Sequence, residues 1–168
     1  MITATTTRRQ LLSQASLIAI LLAVTAMPAR ADITAFLGVS PTPERHAVRG
    51  FSAGLSLVIV GFEFEYSQIA EDEAEVLPGL KTYSGNVFVQ TPTEVKGTTF
   101  YATAGAGGYR ETLDSFEETH VGLNIGAGAK VRLVGPVRVR VDYRIFKLQG
   151  SPLYDRYHRF YVGGNIAF

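Results

Sequence analysis

The sequence predicts an all-β fold of eight antiparallel strands, built either as a sandwich or as an up-and-down barrel. Three observations carry that prediction. Apolar and polar residues alternate with period two, most clearly in VRVRVDYRIF from Val137, where Val137, Val139, Val141, Tyr143 and Ile145 share one parity and Arg138, Arg140, Asp142 and Arg144 the other. No stretch of the chain carries an apolar period of 3.6, so helices are not expected. Turn residues divide the alternating stretches at regular intervals, as in all-β domains.

Taken in order, the strand-like stretches are ITAFLGVS (33–40), GFSAGLSL (50–57), GFEFEYSQ (61–68), KTYSGNVFVQ (81–90), TTFYATAGAGGY (98–109), THVGLNIGAGAKVRL (119–133), VRVRVDYRIFKL (137–148) and YHRFYVGGNIAF (157–168). Their connections alternate in length. After the second, fourth and sixth stretches they are short: residues 58–60, TPTEVK (91–96) and VGP (134–136). After the first, third, fifth and seventh they are longer: PTPERHAV, IAEDEAEVLPGL, RETLDSFEE and QGSPLYDR. Short turns at one rim and long loops at the other are expected of a barrel set in an outer membrane, with the short side periplasmic. Val58-Ile59-Val60 is poor turn chemistry, since none of the three suits a turn backbone.

The segment before the first strand reads as a cleaved export signal. Arg8 and Arg9 precede an apolar run from Leu17 to Ala26, and Ala29-Arg30-Ala31 is a small-x-small cleavage site. The run is too short to span a bilayer of about 30 Å as a helix. The expected division is residues 1–31 as signal peptide and 32–168 as the barrel domain; TRRQLLS also resembles a twin-arginine export signal. Without residues 1–31, which hold Arg8, Arg9 and Arg30, the 16 basic residues of the chain fall to 13 against 15 acidic ones, a formal charge of 13 − 15 = −2. No basic stripe with interleaved aromatics points to nucleic acid. The chain has no cysteine, which excludes disulfides and thiolate metal sites.

Register follows from keeping like faces together. Leu133 should oppose Val137 across a three-residue VGP loop, which sets Arg132 opposite Arg138 and Lys130 opposite Arg140. Four cations side by side need acidic partners, because like charges directly across strands repel. Glu63 and Glu65, on the polar parity of the third stretch, supply them: in a closed eight-stranded barrel the third and seventh strands face each other across an interior just wide enough for side chains. The expectation is that Glu63 and Glu65 meet Arg138 and Arg140 inside, with Asp142 and Arg144 in the same cluster and Gly126 and Gly128 leaving room. A charged row facing water explains the same alternation.

The chain ends in YVGGNIAF, where Tyr161, Gly163, Ile166 and the terminal Phe168 resemble the C-terminal signal that the barrel-assembly machinery reads on bacterial outer-membrane barrels. Together with GFEFEY, TFYATAGAGGYRE, NIGAGAKVRL and VRVDYRIF, this makes residues 32–168 resemble the small porin-like outer-membrane β-barrels of the outer-membrane protein A transmembrane-domain type. The resemblance implies an eight-stranded antiparallel up-and-down transmembrane β-barrel in the outer membrane of a Gram-negative-type bacterium. It further implies a monomer contacting outer-membrane lipid, with a structural or porin-like role, no enzyme activity and no cofactor. The apolar parity would then face lipid, and the lumen would hold a network of Glu63, Glu65, Lys130, Arg132, Arg138, Arg140, Asp142 and Arg144. The sequence has no tryptophan, so Phe64, Tyr66, Tyr83, Tyr101, Tyr143, Phe160 and Phe168 would form the interfacial girdles.

Competing chemistry is weaker. His46, His120 and His158 have no serine placed to form a nucleophilic pair, which argues against a lipid-modifying enzyme. Glu71, Asp72, Glu73 and Glu75 lack the ligand spacing of a calcium loop and read as a solvated acidic loop. GAGG (105–108) is followed by no helix, so it is not a nucleotide fingerprint; its glycines instead leave room for large neighbours. A soluble lipocalin-like binder would share the strand count but put the valine rows inside.

Overall fold

The computed structural model describes residues 29–42, 45–69, 79–113, 116–150, 152 and 154–168. Eight antiparallel strands run in chain order and close on themselves. They are β1 (Ala29–Ser40), β2 (His46–Leu57), β3 (Val60–Ile69), β4 (Gly79–Gln90), β5 (Thr98–Leu113), β6 (Phe116–Val134), β7 (Val137–Leu148) and β8 (Arg156–Ala167). The closing seam pairs Asp32 with Ala167 through Val39 with Phe160. Full closure leaves no strand edge to satisfy, which lets such a sheet stand in a medium without water. Residues 1–28 of the expected signal peptide (1–31) and the acidic Glu71, Asp72, Glu73 and Glu75 lie outside the described residues.

Hydrogen-bonded partners, followed once round the barrel from Leu57, pass through Val60, Val89, Ala102, Ala127, Tyr143, Phe160 and Val39 and return to Ala47. The ladder has climbed 57 − 47 = 10 residues along β2. Such a stagger tilts the strands, and at eight strands the interior fills with side chains and leaves no channel.

The turns at the short rim are tight. Val58 and Ile59 form a two-residue turn with Val58 at φ 43°, so the poor turn chemistry does close a hairpin. The backbone twist of a two-residue hairpin requires positive φ, and here a β-branched residue supplies it. Between β4 and β5, Val95 and Thr98 exchange backbone hydrogen bonds (2.8 and 3.0 Å) around Lys96 and Gly97, both at positive φ.

Two expectations about connections need correction. Val134, rather than Leu133, opposes Val137; the pairing shifts register between Arg132 and Val134, and the turn is Gly135-Pro136 with Gly135 at φ 55°. A bulge absorbs the extra residue, so Arg132 still faces Arg138 and Lys130 faces Arg140. RETLDSFEE is also not a loop: β5 and β6 stay paired up to Leu113 opposite Phe116. The apolar alternation fades in that stretch, which leaves no period to read.

Candidate functional site

The two parities separate in environment through the middle of the barrel. On β3, Glu63 and Glu65 are buried at 4% and 1% exposure, while Phe62 and Phe64 stand at 60% and 47%. On β7, Arg140, Asp142 and Arg144 are buried and Val141 is exposed. Ile33, Leu37, Leu55, Val87, Leu123, Ile125 and Val162 are exposed on the other strands. Each such side chain left in water forgoes roughly 1.5–3 kcal/mol. Summed over the belt, this exceeds the 5–15 kcal/mol that stabilises a typical domain, so this surface suits a hydrocarbon solvent.

Inside, Glu63 is the hub. Arg140 pairs with it through Nη1 on Oε2 and donates from Nη2 to Oε1 at 3.1 Å, while Arg144 Nη2 donates to Oε1 at 2.7 Å. Arg144 Nη1 lies 2.9 Å from Glu65 Oε2, and Asp142 sits between the two arginines, 2.5 Å from Arg140 Nε and 3.6 Å from Arg144 Nε. Carboxylates from β3 thus meet guanidiniums from β7 across the full width of the barrel. The forked geometry of arginine lets each guanidinium serve two carboxylates at once.

The structure does not bring all eight expected network residues together. Lys130 pairs with Asp32 on β1. Arg132 and Arg138 turn to the short rim, where they share Glu94 of the β4–β5 loop at 2.5 and 3.5 Å. The expected Glu63–Arg138 contact is therefore replaced by Glu63–Arg140 and Glu63–Arg144. Ladder stagger is the reason: opposite strands meet at a height set by the whole circuit of pairings, which no single hairpin reveals. The hydrogen bond from Arg132 holds the Glu94 carboxyl below the usual carboxylate range.

Tyr101 also corrects the girdle assignment. It is buried, and its hydroxyl accepts from Arg140 Nε at 2.6 Å, with Arg140 5.0 Å from the ring centroid. The hydroxyl occupies the space that a Cβ on Gly128 would fill. Gly128→Val should therefore displace Tyr101 and destabilise the barrel by about 1–3 kcal/mol, as overpacking does, whereas Ala127→Val, on the exposed parity of the same strand, should be silent. Urea unfolding from lipid vesicles measures the difference; equal midpoints would dissolve the packing argument. Gly105 makes similar room between Asn86 and Asn124, whose amides bond across it at 2.8 Å.

Sequence reasoning missed Asp32, Glu94 and Arg159. Arg159 is fully buried directly opposite Arg144, donates to Ser67 Oγ (2.5 Å) and Thr82 Oγ1 (3.1 Å), and lies 4.1 Å from the centre of the Phe146 ring. Its signal was present, since it shares the inward parity of Tyr157, Tyr161 and Asn165. Above it, toward the long-loop rim, Val48, Ile69, Leu80, Leu148 and Tyr157 are buried in an apolar cluster that caps the charged layer.

Of the terminal-strand residues, Tyr161 is buried, stacks on Phe36 at 4.4 Å between centroids and donates to Glu65 Oε1 at 3.3 Å. A Cβ on Gly163 would collide with Phe36, while Ile166 and Phe168 are exposed. Phe168 N–H and C=O both bond to Ala31 at 2.9 Å, so the chain's last residue helps close the seam.

The histidines are scattered. His158 Nδ1 lies 2.6 Å from the Tyr143 hydroxyl on the outer face, and nearby Ser40 donates to the His158 carbonyl (3.0 Å) rather than to its ring. His120 is exposed and His46 half-buried. Among the described residues no group of three or more His, Asp or Glu side chains is placed to hold a metal ion.

Comparison with known proteins agrees with this geometry at the level of fold. No protein-family model matches the chain, and no curated protein does. Among solved structures, the N-terminal β-barrel domain of Pseudomonas aeruginosa OprF superposes with a TM-score of 0.64 at 20% identity, covering 83% of this chain and 97% of that one. Neisserial surface protein A follows at 0.61 and 15% identity, covering 83% and 94%. Ail, the attachment invasion locus protein of Yersinia pestis, gives 0.56 at 15% identity, covering 84% and 99%. At these identities the likeness concerns architecture: this chain is an eight-stranded antiparallel β-barrel that resembles small outer-membrane barrels.

Proposed function

We propose that this chain is a monomeric integral outer-membrane barrel with a structural role, exported by a signal ending at Ala31 and delivered to the barrel-assembly machinery by Tyr161, Gly163, Ile166 and Phe168. The observation that carries the reading is the inverted polarity: ionic groups fill the centre while the exposed strand face is aliphatic and aromatic. A soluble binder of an apolar ligand needs the reverse arrangement. The interior supports a stopper more than a pore, because Arg140, Arg144, Glu63 and Glu65 cross the lumen in one layer and the cluster of Val48, Ile69 and Leu80 lies above it. β1 begins at Ala29, so cleavage after Ala31 removes three residues of the strand, Ala31 and its two bonds to Phe168 among them, and leaves the seam paired from Asp32 opposite Ala167 onward.

In planar bilayers the folded chain is expected to show no large, stable conductance. A gel run before and after boiling should show a heat-dependent mobility shift, with detergent required for solubility. Steady open channels would overturn the filled lumen, and a compact monomer without surfactant would overturn the membrane reading.

A further inference from the structure

The short rim holds a cavity of about 470 Å³ in the mouth of the barrel. Side-chain length creates it: Asp32, Ser56 and Ala167 on β1, β2 and β8 are short, while Arg132 and Arg138 on β6 and β7 are long and turn to Glu94 of the β4–β5 loop. Ser56, Gln90, Thr91 and Thr99 add neutral hydroxyl and amide groups to the wall. The side chains of Arg132 and Glu94 are 47% and 22% exposed, so the mouth is reached from solvent. Its inner end is closed by the next inward positions on β7, β1 and β8, where Arg140 and Asn165 both donate to Thr34 Oγ1, at 3.4 and 2.9 Å.

Two unbalanced groups in this cavity point to a ligand. Arg132 and Arg138, both permanently charged, share one oxygen of the single Glu94 carboxylate, and Arg138 Nε is buried with no hydrogen-bond partner among the described residues. One positive charge is therefore left without compensation. Deeper in, Lys130 pairs with Asp32 Oδ2, while Asp32 Oδ1 is buried without a partner; Asp32 as a whole is 6% exposed. A buried polar atom left unpaired is destabilising, so these two atoms are where a ligand gains most. Lys130 already balances the Asp32 charge, so Oδ1 calls for a neutral donor rather than a second cation.

We propose that the short-rim mouth binds a small hydroxylated carboxylate, the chemistry of a sugar acid, with the carboxylate on Arg138 and a hydroxyl donating to Asp32 Oδ1. Further hydroxyls meet the neutral wall of Ser56, Gln90, Thr91 and Thr99. The volume lies within the range of small-molecule sites. Arg30 also lines the cavity, and Ser56 Oγ donates to its carbonyl at 3.5 Å. Cleavage after Ala31 removes Arg30, leaves the α-ammonium of Asp32 in its place and releases the Ser56 hydroxyl, so the positive excess persists in the processed chain. The membrane reading puts this mouth on the periplasmic side; the site itself does not depend on that reading.

The test titrates gluconate into the chain from Asp32, folded in detergent micelles, and follows calorimetric binding and the ¹⁵N correlations of the arginine Nε–H groups. The Arg138 cross-peak, identified by its absence in Arg138→Lys, should shift on titration. Gluconate should bind roughly tenfold or more tightly than butyrate, which has the charge without the hydroxyls, and than glucose, which has the hydroxyls without the charge, since each lacks one hydrogen bond to a charged group. Arg138→Gln should weaken gluconate binding by a similar factor, whereas Arg156→Gln at the opposite rim should leave it unchanged. Butyrate or glucose binding as tightly as gluconate, an unmoved Arg138 cross-peak, or full affinity in Arg138→Gln would overturn the site. Should Arg138→Gln lose its heat-dependent gel shift, the Arg138 cross-peak of the unaltered chain still decides. A compact monomer that needs no detergent removes the membrane reading and the periplasmic side with it, a result distinct from a folded barrel that ignores gluconate.

Discussion

Arg140→Met is expected to destabilise the barrel by about 3–5 kcal/mol, the cost of leaving buried carboxylate charge uncompensated. Arg140 contacts Glu63, Asp142, Tyr101 and Ser52, so its loss leaves three buried carboxylates, Glu63, Glu65 and Asp142, to share the one guanidinium of Arg144. Glu63→Gln should cost less, because Arg140 and Arg144 retain Asp142 and Glu65. The double variant should fall short of the sum by about 1–3 kcal/mol, since the two residues belong to one network. Glu94→Gln with Arg132→Met is the internal comparison: Arg132 is 47% exposed, and exposed pairs contribute about 0–1 kcal/mol. Equilibrium urea unfolding from vesicles reads all four corners of each cycle. Similar coupling at both pairs would mean that water reaches the central layer and that the lumen is not packed as described.

Val141→Arg tests the outer face with the opposite logic. Val141 is exposed midway along β7, between Val137 at the short rim and Lys147 at the long-loop rim. Arginine on a lipid-facing strand costs about 2–4 kcal/mol at the bilayer midplane and much less near the interface. Val137→Arg should therefore be nearly neutral and Val141→Arg strongly destabilising in vesicles. In water both changes would relieve exposed apolar surface and improve solubility. The sign at Val141, read from unfolding midpoints in vesicles, decides which solvent the face was selected for.

Strand count, order and the sidedness of each strand were legible in the sequence because period two is a local property: each side chain's face is fixed by its neighbours along the backbone. β7 is the clearest case, where the stretch 137–148 coincides with the strand. The arrival of Glu63 and Glu65 at the arginines of β7 was legible only in outline. Parity placed both sets inside, but the choice of Arg140 and Arg144 over Arg138 depends on ladder stagger, and a bulge at one hairpin changes how a turn reads without changing the pairs beyond it. Tyr101 shows the limit of residue type as a guide. A tyrosine suits a membrane girdle equally well, and its inward position follows from sharing the parity of Thr99 and Thr103, which are buried. The β5–β6 extension was illegible because its sequence, RETLDSFEE, carries no apolar alternation to mark a strand.

By itself, the sequence determined that alternate side chains live in opposite media, since local geometry enforces that separation along each strand. Only the tertiary structure decided which charge meets which, because those contacts join strands facing each other across a closed ring, and their heights accumulate over every pairing between them.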